Sequence, residues 1–298
     1  MNRRLVADLL LVLVCVFWGA TFVVVKEAVA LVPVNAFLAI RFCLAAVVLV
    51  VLFAPRMRAL GPGTAAAAAV LGTVLFAGYA LQTYGLALTT ASNAGFLTGL
   101  SVILVPLFSA LVFGVRPAPR VWVAVALATG GLYLLAAPGD GSHARVEFNP
   151  GDALVVGGAV AFAWHILLTG RFARRYDPIL LATVQIATTG LLGTAAALVV
   201  DGGIPLVLPK AVWSAVVVTA LFATVFAFVV QTAAQRYTSA TRTALIFTLE
   251  PVFAALAAWL YAGEPMTASR LAGGALIVVA MGAVASSPDC GPGPGTPA

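Results

Sequence analysis

Glu250 stands directly before Pro251 and is the single charge in the apolar run 243–263. Near the middle of a membrane-spanning helix an ionised side chain costs about 2.5–3.5 kcal/mol on insertion scales, so its presence asks for a reason. Pro251 has no backbone N–H and tends to kink its helix, which frees carbonyls that can face a cavity. A carboxylate in such a place can bind a cationic group or take up a proton; equally, it can be a protonated or Arg-paired group that fixes packing. Arg41 is the single charge of the run 28–55. As a permanent cation it needs a carboxylate, carbonyls or water, which suits an anionic substrate group, a pairing with Glu250, or a structural anchorage with its head reaching outward. His165, beside Trp164, fits a proton relay or a hydrogen-bonded packing role. Glu250, His165 and Arg41 are therefore the candidates for coupling or ion pairing.

Gln82, Gln185 and Gln231 carry amides that bond across helices, for packing or for a ligand. Trp18, Trp164, Tyr79, Tyr84, Phe96 and Phe247 can line an aromatic cavity or fill a core. From these sets, Trp18, Gln82, Phe96, Trp164, Gln231 and Glu250 are the candidate substrate-binding residues. Asn93 reads as a helix cap, Gly95 and Gly99 as a close helix approach, and Trp122 and Trp213 as interface anchors. Lys26 reads as a solvated flank or as a charge that draws anions to a mouth. Cys15, Cys43 and Cys290 lack CxxC spacing, and no Walker A, HExxH or GxSxG pattern occurs. No catalytic set, metal site or cofactor is expected from this inventory.

The elements that hold these residues follow from the charges. Of the 298 residues, 62% are hydrophobic and 9% charged, against roughly 25% charged in an ordinary soluble domain. That excludes a single-core soluble protein and leaves lipid as the main solvent. Residues 9–25, 121–139, 153–170, 178–200, 211–235 and 271–288 are charge-free; 59–115 is charge-free too and must hold two helices, with the turn at 89–93. With the two runs that Arg41 and Glu250 interrupt, the reading is ten membrane-spanning helices, each of about 20 residues. An N-terminus in the cytoplasm places eleven Arg on the inner side (Arg3, Arg4, Arg56, Arg58, Arg116, Arg120, Arg171, Arg174, Arg175, Arg236, Arg242). It leaves four basic residues, Lys26, Arg145, Lys210 and Arg270, outside. Both termini are then cytoplasmic. The net charge of +6 reflects this topology, and no nucleic-acid partner follows from it.

The halves repeat. Trp18 matches Trp164, Pro33 matches Pro178, Arg41 sits opposite Gln185, and Pro106 matches Pro251, at offsets of 146, 145, 144 and 145. Leu81-Gln82-Thr83 pairs with Val230-Gln231-Thr232 at 149, which requires a small gap. Five spans per half make the second half enter from the opposite side, an inverted repeat of the kind that builds a site near mid-bilayer in secondary transporters.

Phe17-Trp18-Gly19-Ala20-Thr21-Phe22 with Lys26, Gly95-Phe96-Leu97-Thr98-Gly99-Leu100 before Pro106, Leu249-Glu250-Pro251, Gly263-Glu264-Pro265 and Gly273-Gly274 resemble the drug/metabolite transporter superfamily, specifically EamA-type ten-span permeases. Val105-Pro106 and Arg116-Pro117 depart from the Glu250-Pro251 and Glu264-Pro265 of the second half, so any carboxylate mechanism is asymmetric. The resemblance implies an all-α membrane protein of two inverted five-helix repeats, 5–137 and 152–285, joined by an extracytoplasmic linker, 138–151, and followed by a disordered cytoplasmic tail, 286–298. It also implies small-solute movement, often export, without ATP hydrolysis, by alternating access. The expected partners are a small-molecule substrate (amino-acid-like or drug-like), the lipid bilayer and protons as a coupling option. An integral membrane enzyme acting on lipids and a non-transporting sensor or scaffold stay as alternatives. Two Lys against fourteen Arg, with abundant Ala, suggest a GC-rich genome and hence a bacterial plasma membrane.

Overall fold

A computed structural model describes residues 3–115, 117–136, 149–205, 207–263 and 265–285. Residues 138–148 of the expected linker, the 286–298 tail, Arg116 and Glu264 lie outside them. The regular structure among the described residues is all helical, with no strand. The first half comprises α1 (Arg3–Val29), α2 (Val34–Leu52), the single turn α3 (Ala54–Met57), α4 (Pro62–Leu88), α5 (Ala91–Gly99), α6 (Ser101–Phe113) and α7 (Pro119–Ala136). The second comprises α8 (Pro150–Phe172), α9 (Pro178–Val199), α10 (Lys210–Ala220), a π-helical segment Leu221–Phe226, α11 (Ala227–Ala234), α12 (Ala240–Phe247), α13 (Leu249–Ala262) and α14 (Ala268–Ala285). Nine of the apolar helical stretches among the described residues are long enough to cross a bilayer, and Ala268–Ala283 is a shorter one.

Local chemistry sets the boundaries. Proline opens α4, α7, α8 and α9, where its missing N–H costs nothing. Thr90, Asn149, Asp177 and Ser239 cap α5, α8, α9 and α12 through their side chains. Thr90, rather than Asn93, is thus the cap of α5. Asn149 and Asp152 form a reciprocal capping box, so helix already begins within the end of the expected linker. The fourth apolar stretch of each half is broken, at Leu100 and at Thr248. Pro251 explains the second break: its ring clashes with the carbonyl four residues back, and α12 ends at that residue, Phe247.

The halves meet helix by helix: α4 lies on α8, α2 on α9, α7 on α14, and α1 on α13 and α11. In lipid there is no hydrophobic drive between helices, so close backbone approach has to supply dispersion contacts. At the α7–α14 contact a Cβ on Gly131 would sit 2.6 Å from the Gly273 carbonyl oxygen. Large apolar side chains such as Leu111, Leu191 and Val199 point away from the bundle, as expected of a lipid-facing surface.

Two neighbouring glycines of α7 separate packing from propensity. Gly131→Ala is expected to lose about 1–3 kcal/mol by overpacking. Gly130, which has open space around it, is expected to gain up to about 1 kcal/mol as Gly130→Ala, the ordinary helix preference. Thermal unfolding of the two variants in detergent checks the contrast.

Candidate functional site

A cavity lies between the halves. Its walls come from α1 (Trp18, Thr21, Phe22, Val25), α4 (Leu75, Tyr79, Gln82, Thr83, Leu86) and the break between α5 and α6 (Thr98, Gly99, Ser101). The second half contributes Phe162, His165 and Ile166 of α8, Phe228 and Gln231 of α11, and Phe247, Glu250 and Pro251 around the second break. Arg41 of α2 also lines it.

Arg41 is 3% exposed and finds no carboxylate among the described residues. Its Nε donates to Thr224 Oγ1 at 2.9 Å and Nη2 to the Ala223 carbonyl at 3.3 Å, both in the π-helical segment. A π turn widens the helix and displaces its carbonyls, and here the displaced carbonyl becomes a ligand for a cation. The guanidinium also lies over the rings of Phe42 and Tyr79, 5.1 and 5.0 Å from their centroids. Trp18 Nε1 donates to the same Ala223 carbonyl at 2.9 Å, which fixes its ring edge-on to Phe247.

Glu250 makes no hydrogen bond or ion pair among the described residues, although it lines the cavity with Arg41. Its backbone is held tightly: a Cβ on Gly19 would lie 2.5 Å from the Glu250 carbonyl oxygen, so only glycine permits α1 to approach so closely.

The amides and His165 form two wired chains. His165 Nε2 lies 2.8 Å from Gln185 Oε1, Gln185 Nε2 donates to Thr232 Oγ1 at 3.2 Å, and Thr232 gives its only hydroxyl proton to the Phe228 carbonyl at 2.7 Å. Because that proton is spent, Thr232 can only accept from Gln185. The amide oxygen of Gln185 therefore faces His165, and Nε2 of His165 carries a proton. In the second chain Gln235 donates to the Ile166 carbonyl and accepts from Gln231 Nε2 at 3.4 Å. Gln231 Oε1 is left buried without a partner, an unmet acceptor on a cavity residue. Gln82 donates to Thr98 Oγ1 at 2.9 Å.

Of the residues singled out from sequence, Trp18, Gln82, Gln231, Glu250, His165 and Arg41 meet around the cavity, with Tyr79 and Phe247. Phe96 and Trp164 do not line it. Trp164 stacks on Phe108 at 5.2 Å and meets Phe113 edge-on, because the cavity face of α8 carries 162, 165 and 166. Phe96 points into the apolar cluster behind Gly95 and Thr98. Tyr84 accepts from Asn35 away from the cavity, and Lys26 donates to the Thr89 carbonyl at 2.7 Å, tying α1 to the end of α4. No group of three or more His, Cys, Asp or Glu that could hold a metal occurs among the described residues.

Residues missed from sequence alone include Thr21, Ser101, Phe162, Phe228 and Thr224. A signal was present for most. The lining of α1, Trp18-Thr21-Phe22, recurs as Phe162-His165-Ile166 at an offset of 144, and Tyr79, Gln82, Thr98 and Ser101 recur as Phe228, Gln231, Phe247 and Glu250 at 149. The register that puts Trp164 opposite Trp18, and Pro251 opposite Pro106, is therefore not the one that builds the cavity. Ser101, and not Val105, occupies the place of Glu250 in the first half.

Known proteins resemble this chain. An uncharacterized transporter of Archaeoglobus fulgidus is 33% identical over 279 residues, 94% of this chain and 85% of that protein. The uncharacterized transporter YvbV of Bacillus subtilis is 27% identical, over 92% of this chain and 89% of that protein. A solved crystal structure superposes with a TM-score of 0.74 at 21% identity, covering 93% of this chain and 96% of that one, a likeness of fold alone. The model of the EamA-like transporter family matches twice, at residues 5–137 and 149–285. With both halves matched, and matched as a duplicated unit, the chain belongs to the EamA-like transporter family.

Proposed function

We propose that the protein is a secondary carrier that moves small amino-acid-like or drug-like metabolites by alternating access, as an exporter of a bacterial plasma membrane. In this reading ten spans form two inverted five-helix repeats with both termini cytoplasmic, and the substrate sits at the interface between the repeats. The observation that carries the reading is the pair of opposite charges, Arg41 and Glu250, on one cavity without an ion pair between them. Arg41 already has protein partners and a net positive field; Glu250 has an unsatisfied carboxylate. A substrate with an ammonium group answers Glu250, its carboxylate answers Arg41, and Trp18, Tyr79, Phe228 and Phe247 cover its apolar part. Gln231 Oε1 and Gln82 supply further polar contacts. An empty carrier can balance Glu250 with a proton, which links substrate movement to a pH gradient. Among the described residues of the cavity no hydrogen bond joins a nucleophile to a base, and His165 is engaged by Gln185, which favours translocation over an enzyme acting on lipids.

Proteoliposomes with an imposed pH gradient and a panel of labelled amino acids and cationic drugs test the reading. Gradient-driven movement of at least one solute is expected, and Glu250→Gln is expected to reduce its gradient dependence by tenfold or more. Unchanged pH-dependent transport in that variant removes Glu250 from the mechanism. Arg41→Lys keeps the charge but loses the planar fork that reaches Thr224 and Ala223 together. The expected result is a severalfold loss of uptake of carboxylate-bearing solutes, with a smaller effect on solutes that carry only a cation. Equal losses for both classes would assign Arg41 to packing.

A further inference from the structure

The same construction with different chemistry stands toward each end of the cavity. At one end Asp8 of α1 binds Arg242 of α12: Arg242 Nε reaches both carboxylate oxygens at 3.1 Å and Nη2 reaches Oδ2 at 2.5 Å, with both side chains largely buried. At the other end Asp152 of α8 accepts from Asn93 of α5 at 3.2 Å and from Thr89 Oγ1 at 2.7 Å. The residues correspond in the registers that build the cavity: Asp8 to Asp152 at 144, and Thr89, the cap Thr90 and Asn93 to Thr238, the cap Ser239 and Arg242 at 149. The ends are opposite. Lys26, 18 residues after Asp8 on the same helix, bonds to Thr89, and 18 residues of α-helix span about 27 Å.

Two further observations separate the ends. Thr238 Oγ1 is buried with no hydrogen-bond partner among the described residues, whereas its counterpart Thr89 donates to Asp152; Arg242 has taken the acceptor sites of Asp8. The cavity is also unequally deep. It extends to Val25, Leu86 and Gly95 on one side, but on the other it stops at Ile166, Gln231 and Phe247, short of their equivalents Thr169, Gln235 and Ala244. The structure is sealed further in at the end that carries the ion pair.

We propose that Asp8–Arg242 and Asp152–Asn93 are paired latches that close alternate ends of the carrier, and that the ion pair biases the resting protein toward closure at the Asp8 end. This rests on the alternating-access reading above. Arg242 brings a full positive charge and a fork of donors to Asp8, a stronger partner for a carboxylate than one neutral amide, and it neutralises a largely buried Asp8. Parting α1 from α12 breaks the ion pair, while parting α8 from α5 breaks the bond from the neutral Asn93 amide to Asp152.

The native Cys15 reports on the first end: it is fully buried, lies between Asp8 and Trp18, and its thiol faces the Ile246 carbonyl of α12. With Cys43 and Cys290 replaced by serine, labelling by a membrane-impermeant maleimide in full-length protein in liposomes measures exposure of Cys15. Val25→Cys in a Cys15→Ser background measures the other end. Arg242→Asn copies the chemistry of the opposite latch and leaves Thr238 a partner. It is expected to raise Cys15 labelling about tenfold or more and to lower that of Val25→Cys. Asn93→Arg, which strengthens the other latch without touching Asp8, is expected to move both in the same directions and serves if Arg242→Asn does not fold. The charge-reversed Asp8→Arg/Arg242→Asp variant is expected to return Cys15 labelling toward the native rate. Unchanged Cys15 labelling in folded variants, or a rise at both reporters together, overturns the latch. Labelling needs no substrate, so reciprocal shifts without transport of any solute would instead overturn the carrier reading.

Discussion

A guanidinium buried in an apolar bundle has to be neutralised or solvated from within, and this requirement shapes the centre of the protein. Arg41 meets it without a carboxylate. The π-helical segment Leu221–Phe226 displaces the Ala223 carbonyl, Thr224 adds its hydroxyl, and two aromatic faces cover the cation. Thr224 in turn donates to the Thr219 carbonyl, so the distorted turn repairs its own ladder. Trp18 shares the Ala223 carbonyl and thereby places a ring at the cavity wall. The consequence is chemical: since Arg41 is served by backbone and hydroxyl, Glu250 is left unpaired, and a cavity with two separate charges results.

The helices were legible from sequence because charge is so scarce. The long charge-free intervals all hold helix among the described residues, and the turn expected within 89–93 lies between α4 and α5. The chemistry around Glu250, Arg41, Gln82 and Gln231 was legible for the same reason, since a polar group in lipid stands out. What sequence hid was rotation and distance. Trp164 is one residue from the lining His165, yet a step of about 100° on a helix turns it from the cavity toward Phe108. The π turn has no composition signature, so the partners of Arg41 were invisible. Asp8 was hidden differently. It stands five residues into α1 and reads as the polar flank of a span, and only its contact with Arg242, 234 residues away, gives it a role.

Register explains the rest. The offset between halves is 144 at the start of the second helix and 149 at the cavity residues of the third and beyond, chiefly because α9 has 22 residues against 19 in α2 and because the π-helical segment precedes Phe228. An offset of 145 pairs Pro106 with Pro251, which lie at different distances from their helix breaks. Conserved type is thus a weaker guide than shared position: Ser101 and Glu250 differ in kind and hold the same place. The duplication gives the frame, and substitutions at equivalent places give it polarity.

The location of the empty space follows from the same asymmetry. α4 meets α8 through glycines: a Cβ on Gly85 would lie 2.6 Å from the Gly151 carbonyl oxygen, and one on Gly158 would lie 3.1 Å from that of Gly78. Backbones in such contact leave no volume between them. The equivalent seam, α1 against the π segment and α11, is built from rings instead, with Phe17 on Phe222 and Phe226, and Trp18 beside Phe228. Rings hold helices apart, so space can open only beside the aromatic seam, and Arg41, Gln231 and Glu250 are arrayed around that side. Exchanging the glycines for rings between the two seams would relocate the cavity with no change in the charged residues, which makes packing, as much as polarity, the determinant of where a solute can lie.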